Sequence, residues 1–241
     1  MNSIEGKVVL VTGGARGLGE AVCRDLSAAG AQVILADIRM DLANKVTGEV
    51  KAQGGKITAL ELDLTDAQQV RSAVEKIVSD FGRLDVLVSC AAIDKTVPVD
   101  ALEVEDWDCI MAVNLRAAFI LAKYILPVMR KQGSGYIINV CSTASKRAWP
   151  NASVYHASKW GLLGFTHALL TEARPHNIKV TALIPGGMRT PFLLDRFPDI
   201  DLNALQDPKN VAETVRFLLV QPDETVIPEM MVLPIRETSW P

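Results

Sequence analysis

The chain has few aromatic, histidine and cysteine residues and no concentration of positive charge. Aromatic residues make up 5% of its 241 residues, and it holds three histidines and four cysteines. The net charge at pH 7 is -3 and no basic tract stands out, so no nucleic-acid partner is expected. The cysteines at positions 23, 90, 109 and 141 lack the paired spacing of zinc or redox sites. We therefore predict buried thiols and no metal site. Cys141 is the exception, because it adjoins Ser142 and could lie near a substrate as an oxidation-sensitive thiol.

Long apolar runs are also lacking. We expect no stretch to be long enough to span a membrane, and the first predicted strand begins within a few residues of the amino end. These features favour a cytoplasmic protein with no membrane partner. With 49% hydrophobic residues, and no repeat or low-complexity linker, the sequence predicts one domain over residues 1-241.

Short apolar segments recur along the chain and alternate with helical patterns. The apolar segments lie near residues 8, 33, 58, 86, 137, 180 and 231, and two long helices are predicted over about 104-129 and 154-176. This alternation predicts an α/β fold, a doubly wound Rossmann-type parallel sheet of about seven strands with helices on both faces. Ligands of such sheets bind at the carboxyl ends of the strands.

The first apolar segment ends at a glycine-rich loop, Thr12-Gly-Gly-Ala-Arg-Gly-Leu-Gly19. A helix is predicted from about Gly17 to Ala29. The free N-H groups and dipole at its amino end form an anion site suited to a pyrophosphate, and glycines let a ligand approach the backbone. An ordinary strand-to-helix turn has similar composition, so the next strand is needed to decide.

That second strand ends at Asp37, about twenty residues after the loop. A carboxylate there can accept hydrogen bonds from the ribose hydroxyls of NAD and would repel the 2′-phosphate of NADP. Arg16 and Arg39 could instead reach a 2′-phosphate, or be solvated surface cations. On balance the sequence predicts NAD rather than NADP.

Tyr155 and Lys159 lie four residues apart in a predicted helix, so their polar ends share one face. We expect the ammonium to lower the pKa of Tyr155 from its reference value of about 10, which would let the phenol exchange a proton. Ser142 lies thirteen residues before Tyr155, at the end of a strand. A Tyr-x-x-x-Lys pair alone is common on helices, so its weight depends on the other motifs.

Taken together, the motifs resemble those of the short-chain dehydrogenase/reductase family over most of the chain. They are Thr12-Gly-x-x-x-Gly17-x-Gly19, Asp63 in Leu-Asp-Leu-Thr, Asn114 in Val-Asn-Leu, Ser142, Tyr155, Lys159, and Pro185-Gly186 through Thr190.

The resemblance implies a catalytic tetrad and a set of cofactor contacts. Tyr155 would exchange the proton, Ser142 would hold the substrate oxygen, Lys159 would bind the nicotinamide ribose, and Asn114 would hold a water. Cofactor contacts are expected from Gly13, Arg16, Gly17, Leu18, Gly19, Asp37, Asp63, Leu64, Ala91, Tyr155, Lys159, Pro185, Gly186 and Thr190. The resemblance also implies a small-molecule alcohol or carbonyl substrate, and a homodimer or homotetramer built on the two long helices.

One segment departs from the family's pattern. Ser89-Cys-Ala-Ala92 stands where the family usually has Asn-Asn-Ala-Gly, and the methyl group of Ala92 could narrow the cofactor site. This departure leaves open a non-catalytic dinucleotide-binding sensor or scaffold. Within the enzyme class, the alternative is an NADPH-dependent carbonyl or 3-oxoacyl thioester reductase.

The substrate pocket is the part that the sequence defines least. Phe192, Leu193, Leu194 and Phe197 predict a small apolar lid, and we interpret Arg196 as solvated rather than bound to a substrate carboxylate. Trp149 and Arg147 are possible pocket residues, whereas His156 and His167 are interpreted as packing or surface residues. The carboxyl-terminal segment 227-234 lacks the family's common Asp-Gly-Gly. It looks more like the branch that oxidises small hydroxy acids or reduces varied aldehydes and ketones.

Overall fold

In a computed structural model, which describes residues 3–237, seven strands form one parallel sheet. The strands are β1 Val8–Thr12, β2 Gln32–Asp37, β3 Lys56–Glu61, β4 Val86–Ser89, β5 Gly135–Val140, β6 Ile178–Pro185 and β7 Glu229–Val232. Their order across the sheet is β3-β2-β1-β4-β5-β6-β7. The predicted fold class is confirmed, and each predicted strand has its counterpart.

Eight α-helices accompany the strands in the described part of the chain. They are α1 Gly17–Ala28, α2 Met40–Ala52, α3 Ala67–Phe81, α4 Val104–Met111, α5 Ala117–Gln132, α6 Ser153–Ala173, α7 Pro191–Leu194 and α8 Pro208–Leu219. Buried residues of α1, α2 and α8 pack on one face of the sheet, and those of α3, α5 and α6 on the other.

Strand β1 shows why the central strands read as unbroken apolar runs. All five of its residues are buried. Side chains alternate between the two faces of a strand, so Val9 and Val11 join one core cluster while Val8 and Leu10 join the other. A parallel strand covered by helices on both faces needs apolar residues at every position.

The helical stretch over residues 104–132 is interrupted where the sequence predicted a continuous helix. A π-helical segment, Ala112–Arg116, joins α4 to α5 and contains Asn114. A π segment holds one more residue per turn than an α-helix and shifts the direction of the side chains within it. Such segments are frequent at functional sites.

This same stretch, Val104–Gln132, is long and apolar enough to cross a membrane by length and composition, so our expectation that no run reaches that length is wrong. Half of its most apolar window is buried inside the protein. Ile120, Leu121, Ile125 and Met129 lie in the core beneath the sheet. These contacts are those of the core helix of an α/β protein.

Candidate active site

A cleft of about 880 Å³ lies over the carboxyl ends of the strands. It lies where the strand order reverses between β1 and β4, the position at which open α/β sheets bind ligands. Its volume falls within the range of small-molecule and cofactor pockets. Every residue predicted to contact the cofactor lines this cleft, as do Ser142, Tyr155 and Lys159 of the predicted tetrad. Asn114 does not.

The glycines of the first loop are required by close packing. Gly13 has a φ of 67° and Gly17 a φ of 61°, in the left-handed region that favours glycine. A Cβ atom on Gly13 would lie 2.7 Å from the Cα atom of Ala91, and one on Gly19 would lie 2.1 Å from the Gly13 carbonyl oxygen. The loop therefore folds tightly between the ends of β1 and β4. This packing brings the first residues of α1 to the wall of the cleft, as an anion site requires.

Asp37 is buried at the end of β2 and joins the glycine loop to that strand. One carboxylate oxygen accepts a hydrogen bond from the Ala15 N-H at 3.1 Å, and the other accepts from the Arg39 N-H at 3.0 Å. The Arg39 Nε lies 3.5 Å from the second oxygen. Each oxygen keeps lone-pair capacity for a ribose hydroxyl, because a carboxylate accepts about four hydrogen bonds.

Both arginines near this end of the cleft pair with a carboxylate and remain partly exposed. Arg39 pairs with Asp37, and Arg16 pairs with Asp195 at 3.1 Å. Asp63, further along the cleft, accepts hydrogen bonds from the N-H and hydroxyl of Thr65 at 2.8 and 2.7 Å through one oxygen.

Tyr155, Lys159 and Ser142 meet at the other end of the cleft. Tyr155 and Lys159 lie in the first two turns of α6, and Ser142 follows the end of β5. The Ser142 hydroxyl hydrogen-bonds to Tyr155 and accepts from the Ala144 N-H at 3.1 Å. The Lys159 ammonium is almost fully buried and donates a hydrogen bond to the Val140 carbonyl at 2.8 Å. The structure thus brings together three of the four predicted tetrad side chains.

The prediction that the pKa of Tyr155 is lowered is wrong. Burial, which disfavours the phenolate, is the largest effect and raises the pKa of Tyr155 to about 12, while the hydrogen bond to Ser142 opposes it. Burial also lowers the pKa of Lys159. The phenol therefore holds its proton at neutral pH, the form that a proton donor needs.

Asn114 acts from behind the cleft wall. Its amide oxygen accepts from the Ile93 N-H at 2.9 Å, and its amide nitrogen donates to the Ile93 carbonyl at 2.9 Å and to the Ser158 hydroxyl at 3.1 Å. These bonds fasten the segment after β4 to α6 beside Lys159. Since both amide hydrogens have protein acceptors, a water held by this side chain would have to donate to its oxygen.

The substrate end of the cleft has the predicted apolar lid. Phe192, Leu193 and Phe197 line it, whereas Leu194 does not. The ring of Phe192 lies 5.8 Å from that of Tyr155. Trp149 also lines the cleft, and Arg147 is not among its lining residues.

Both histidine interpretations hold. Buried His156 packs edge-on against Trp149 at 4.3 Å, with its two ring nitrogens hydrogen-bonded to the Ala144 carbonyl and the Trp149 N-H. His167 is half exposed and lies 3.3 Å from Glu229.

The interpretation of Arg196 as solvated is wrong. Its guanidinium forms an ion pair with the buried carboxylate of Asp94 and stacks 4.3 Å from the centre of the Phe192 ring. Sequence reasoning did not single out Asp94, because nothing in the order of residues links a loop after β4 to a lid about a hundred positions later.

The cysteines follow the prediction in part. Cys23 and Cys141 are buried, Cys90 is partly buried, and Cys109 is exposed, contrary to expectation. Cys141 lines the cleft, but burial raises the pKa of its thiol to about 12, so a reactive thiolate is disfavoured. Within residues 3–237, no three His, Cys, Asp or Glu side chains are grouped to hold a metal.

Comparison with known proteins decides the family. The family model described as short chain dehydrogenase matches residues 7–201, which include the glycine loop, the tetrad residues and the lid helix α7. The chain belongs to the short-chain dehydrogenase/reductase family. This short-chain dehydrogenase is 38% identical over 192 residues to a cyclopentanol dehydrogenase of a Comamonas species, an alignment that covers 80% of this chain and 77% of the relative.

Two solved structures resemble this short-chain dehydrogenase over nearly its whole length. A 3-ketoacyl-(acyl-carrier-protein) reductase from Brucella melitensis, complexed with NADH, has a TM-score of 0.89 and 31% identity, covering 97% of this chain and 99% of that one. A metagenomic short-chain oxidoreductase in complex with NADP has a TM-score of 0.86 and 30% identity, with coverage of 97% and 99%. The predicted enzyme class, an oxidoreductase that uses a nicotinamide dinucleotide, is confirmed at the level of the family.

Proposed function

We propose that this short-chain dehydrogenase transfers hydride between NAD(H) and a small or medium, partly apolar alcohol or carbonyl substrate. The observation that carries the proposal is one cleft with a glycine loop and Asp37 at one end, and Tyr155 hydrogen-bonded to Ser142 at the other. Asp37 ends β2 and Ser142 follows β5, three strands away across the sheet, so a ligand that reaches both must be elongated, as a dinucleotide is.

Each tetrad residue has a role that its contacts support. In reduction, Tyr155 gives its proton to the substrate oxygen, and Ser142 hydrogen-bonds the same oxygen and stabilises the charge that develops on it. Lys159, fixed to the end of β5 by Val140, keeps two further N-H donors for a ribose hydroxyl. Asn114 positions the segment after β4, and its amide oxygen accepts a hydrogen bond from a water that connects the site to solvent. When bound, the nicotinamide cofactor supplies or accepts the hydride.

The preference for NAD over NADP rests on Asp37. Its carboxylate is buried at the end of β2, where a 2′-phosphate would meet a negative charge. Arg39 and Arg16, the cations that would favour NADP, both already pair with carboxylates. The NADP complex of a relative keeps the NADPH-dependent reductase as the second candidate, with 3-oxoacyl thioesters among its possible substrates.

A non-catalytic sensor or scaffold is the alternative from another class. Ala92, in place of the family's usual glycine, is the feature that favours it, while the complete set of Asn114, Ser142, Tyr155 and Lys159 disfavours it. We also propose a single domain acting in the cytoplasm, without a membrane or nucleic-acid partner. The half-exposed rings of Phe119 on α5 and Trp160 on α6 support a homodimer or homotetramer built on these helices.

The experiment that tests the function is a panel of ketones, aldehydes and secondary alcohols, each offered with NAD(H) and with NADP(H). Turnover followed by the nicotinamide absorbance would identify the cofactor and the substrate class together. If no member of the panel reacts although NADH binds, the sensor alternative gains weight.

A further inference from the structure

A buried carboxylate lies at the substrate end of the cleft, outside the tetrad. Asp94 lies in the segment after β4 and lines the cleft with Tyr155, Phe192 and Arg196. Its side chain is only 3% exposed. Its negative charge acts on Tyr155, where it raises the pKa of the phenol, so the two groups share one electrostatic environment. Burying a carboxylate is costly unless it is paired and hydrogen-bonded, so its partners show what it can do.

One oxygen of this carboxylate binds Arg196 of the lid. Its Oδ2 accepts from Nη1 of Arg196, and the same arginine donates to the Phe192 carbonyl at 2.8 Å and to the Thr96 hydroxyl at 3.3 Å. Arg196 is therefore oriented by three protein acceptors. An anionic substrate would have to compete with Asp94 for this guanidinium and would approach a carboxylate to do so.

The second carboxylate oxygen differs from the first in its contacts. In the part of the chain that the structure describes, Oδ1 of Asp94 is buried and has no hydrogen-bond partner. Burial raises the pKa of Asp94, while Arg196 and the Lys95 backbone N-H oppose that rise without satisfying this oxygen. A buried acceptor without a donor loses free energy, which a ligand donor would restore. Because Oδ1 has almost no accessible surface, such a donor reaches it only when neighbouring side chains of the cleft shift.

Resting on the proposed function, we propose that Asp94 is a specificity-determining residue whose Oδ1 accepts a hydrogen bond from a second hydroxyl group of the substrate. The substrate class is then a neutral diol in oxidation, or the corresponding hydroxy ketone in reduction. A neutral donor fits better than an ammonium because Arg196 already balances the charge of Asp94. The expectation of a hydroxy acid, taken from the carboxyl-terminal segment, is correspondingly disfavoured.

The test uses substrates that share one reacting secondary alcohol and differ in a single group. 1,2-Propanediol is compared with 2-butanol, in which a methyl group replaces the second hydroxyl, and 1,3-butanediol is compared with 2-pentanol for a spacing one carbon longer. In 1-amino-2-propanol an ammonium replaces the second hydroxyl, and in lactate a carboxylate replaces the hydroxymethyl group. We measure kcat/KM, and in parallel the thermal shift that each compound causes with NADH present, which needs no turnover.

In the wild type we expect the diol of at least one pair to exceed its matched alcohol, the amino alcohol and the hydroxy acid. Asp94→Ala should lower that diol-to-alcohol ratio roughly 10- to 100-fold, the value of a hydrogen bond to a charged group. It should also raise the relative rate with lactate, since Arg196 loses its partner. Asp100→Ala is the matched control, because it removes an exposed carboxylate from the same segment outside the cleft, and it should change the ratio by less than roughly threefold.

If Asp94→Ala fails to fold with an unpaired Arg196, the double variant Asp94→Ala/Arg196→Leu removes both charges and should lose the preference in the same way. Equal turnover of the diols and their matched alcohols, a best substrate carrying an ammonium or carboxylate, or a preference that survives Asp94→Ala would overturn the proposal while leaving the dehydrogenase function intact. No turnover of any compound would count against the proposed function. The thermal shifts would then still decide whether Asp94 selects diols.

Discussion

The Lys159 ammonium lies 5.8 Å from the centre of the Tyr155 ring and donates a hydrogen bond to the Val140 carbonyl. The cation is thus anchored to the end of β5, at the wall of the cleft. Tyr155 instead forms a hydrogen bond with the Ser142 side chain and is buried. The proton donor and the ribose-binding cation are therefore positioned by different residues near the end of the same strand, β5.

The first prediction concerns the titration of Tyr155. Its folded pKa of about 12 exceeds the reference of about 10, so the phenolate difference between wild type and Tyr155→Phe should develop near pH 12. Because the folded pKa is raised, the stability linked to this group is complete below about pH 10 and is lost as the pH rises from about 10 to about 12. Ultraviolet absorbance in the absence of cofactor measures the titration. A difference signal that develops near neutral pH would contradict the assigned environment.

The second prediction concerns cofactor choice. Asp37→Ala should weaken NADH binding and strengthen NADPH binding, since it removes the ribose acceptor together with the charge that repels a 2′-phosphate. Fluorescence titrations with both cofactors measure the ratio of affinities. Asp41→Ala removes one negative charge from an exposed position at the start of α2 and should leave the ratio unchanged. An unaltered ratio in Asp37→Ala would show that Asp37 does not select the cofactor.

The third prediction concerns the glycine loop. Gly13→Ala should destabilise the protein by more than about 1 kcal/mol and weaken cofactor binding, because its φ is positive and the added methyl would meet Ala91. Gly48→Ala is the matched control in α2, where a Cβ atom meets nothing within 4 Å. It should stabilise the protein by up to about 1 kcal/mol through helix propensity. Urea unfolding compares the two, and equal effects would show that the packing of Gly13 is unimportant.

The fourth prediction concerns Asn114. Asn114→Ala removes both hydrogen bonds to the Ile93 backbone and one of the two bonds of the Ser158 hydroxyl, and should cost about 1–3 kcal/mol of unfolding free energy. Asn44→Ala, at an exposed position of α2, should change stability by less than about 0.5 kcal/mol. Denaturant titration measures both. A loss no larger than that of the control would mean that the Asn114 hydrogen bonds do not join the segment after β4 to α6.

The features that could be predicted from the sequence are those with local signals. The apolar strands, the glycine loop and Asp37 at the end of β2 each depend on neighbouring residues and on the rule that ligands bind at strand ends. The Tyr155 pKa could not be predicted, because it depends on burial beneath Phe192 and on Ser142. The Asp94–Arg196 pair joins residues 102 positions apart, and the π-helical segment at Asn114 has no recognisable pattern of its own.

The most direct test of the central claim is the turnover of Tyr155→Phe beside wild type, with the best substrate of the panel and with NADH binding measured on the same samples. We predict that the variant binds NADH as the wild type does and loses at least about 100-fold in kcat, because only the proton donor is removed. Turnover within a few-fold of wild type, with NADH binding intact, would contradict the assignment of Tyr155 as the acid and base of this site.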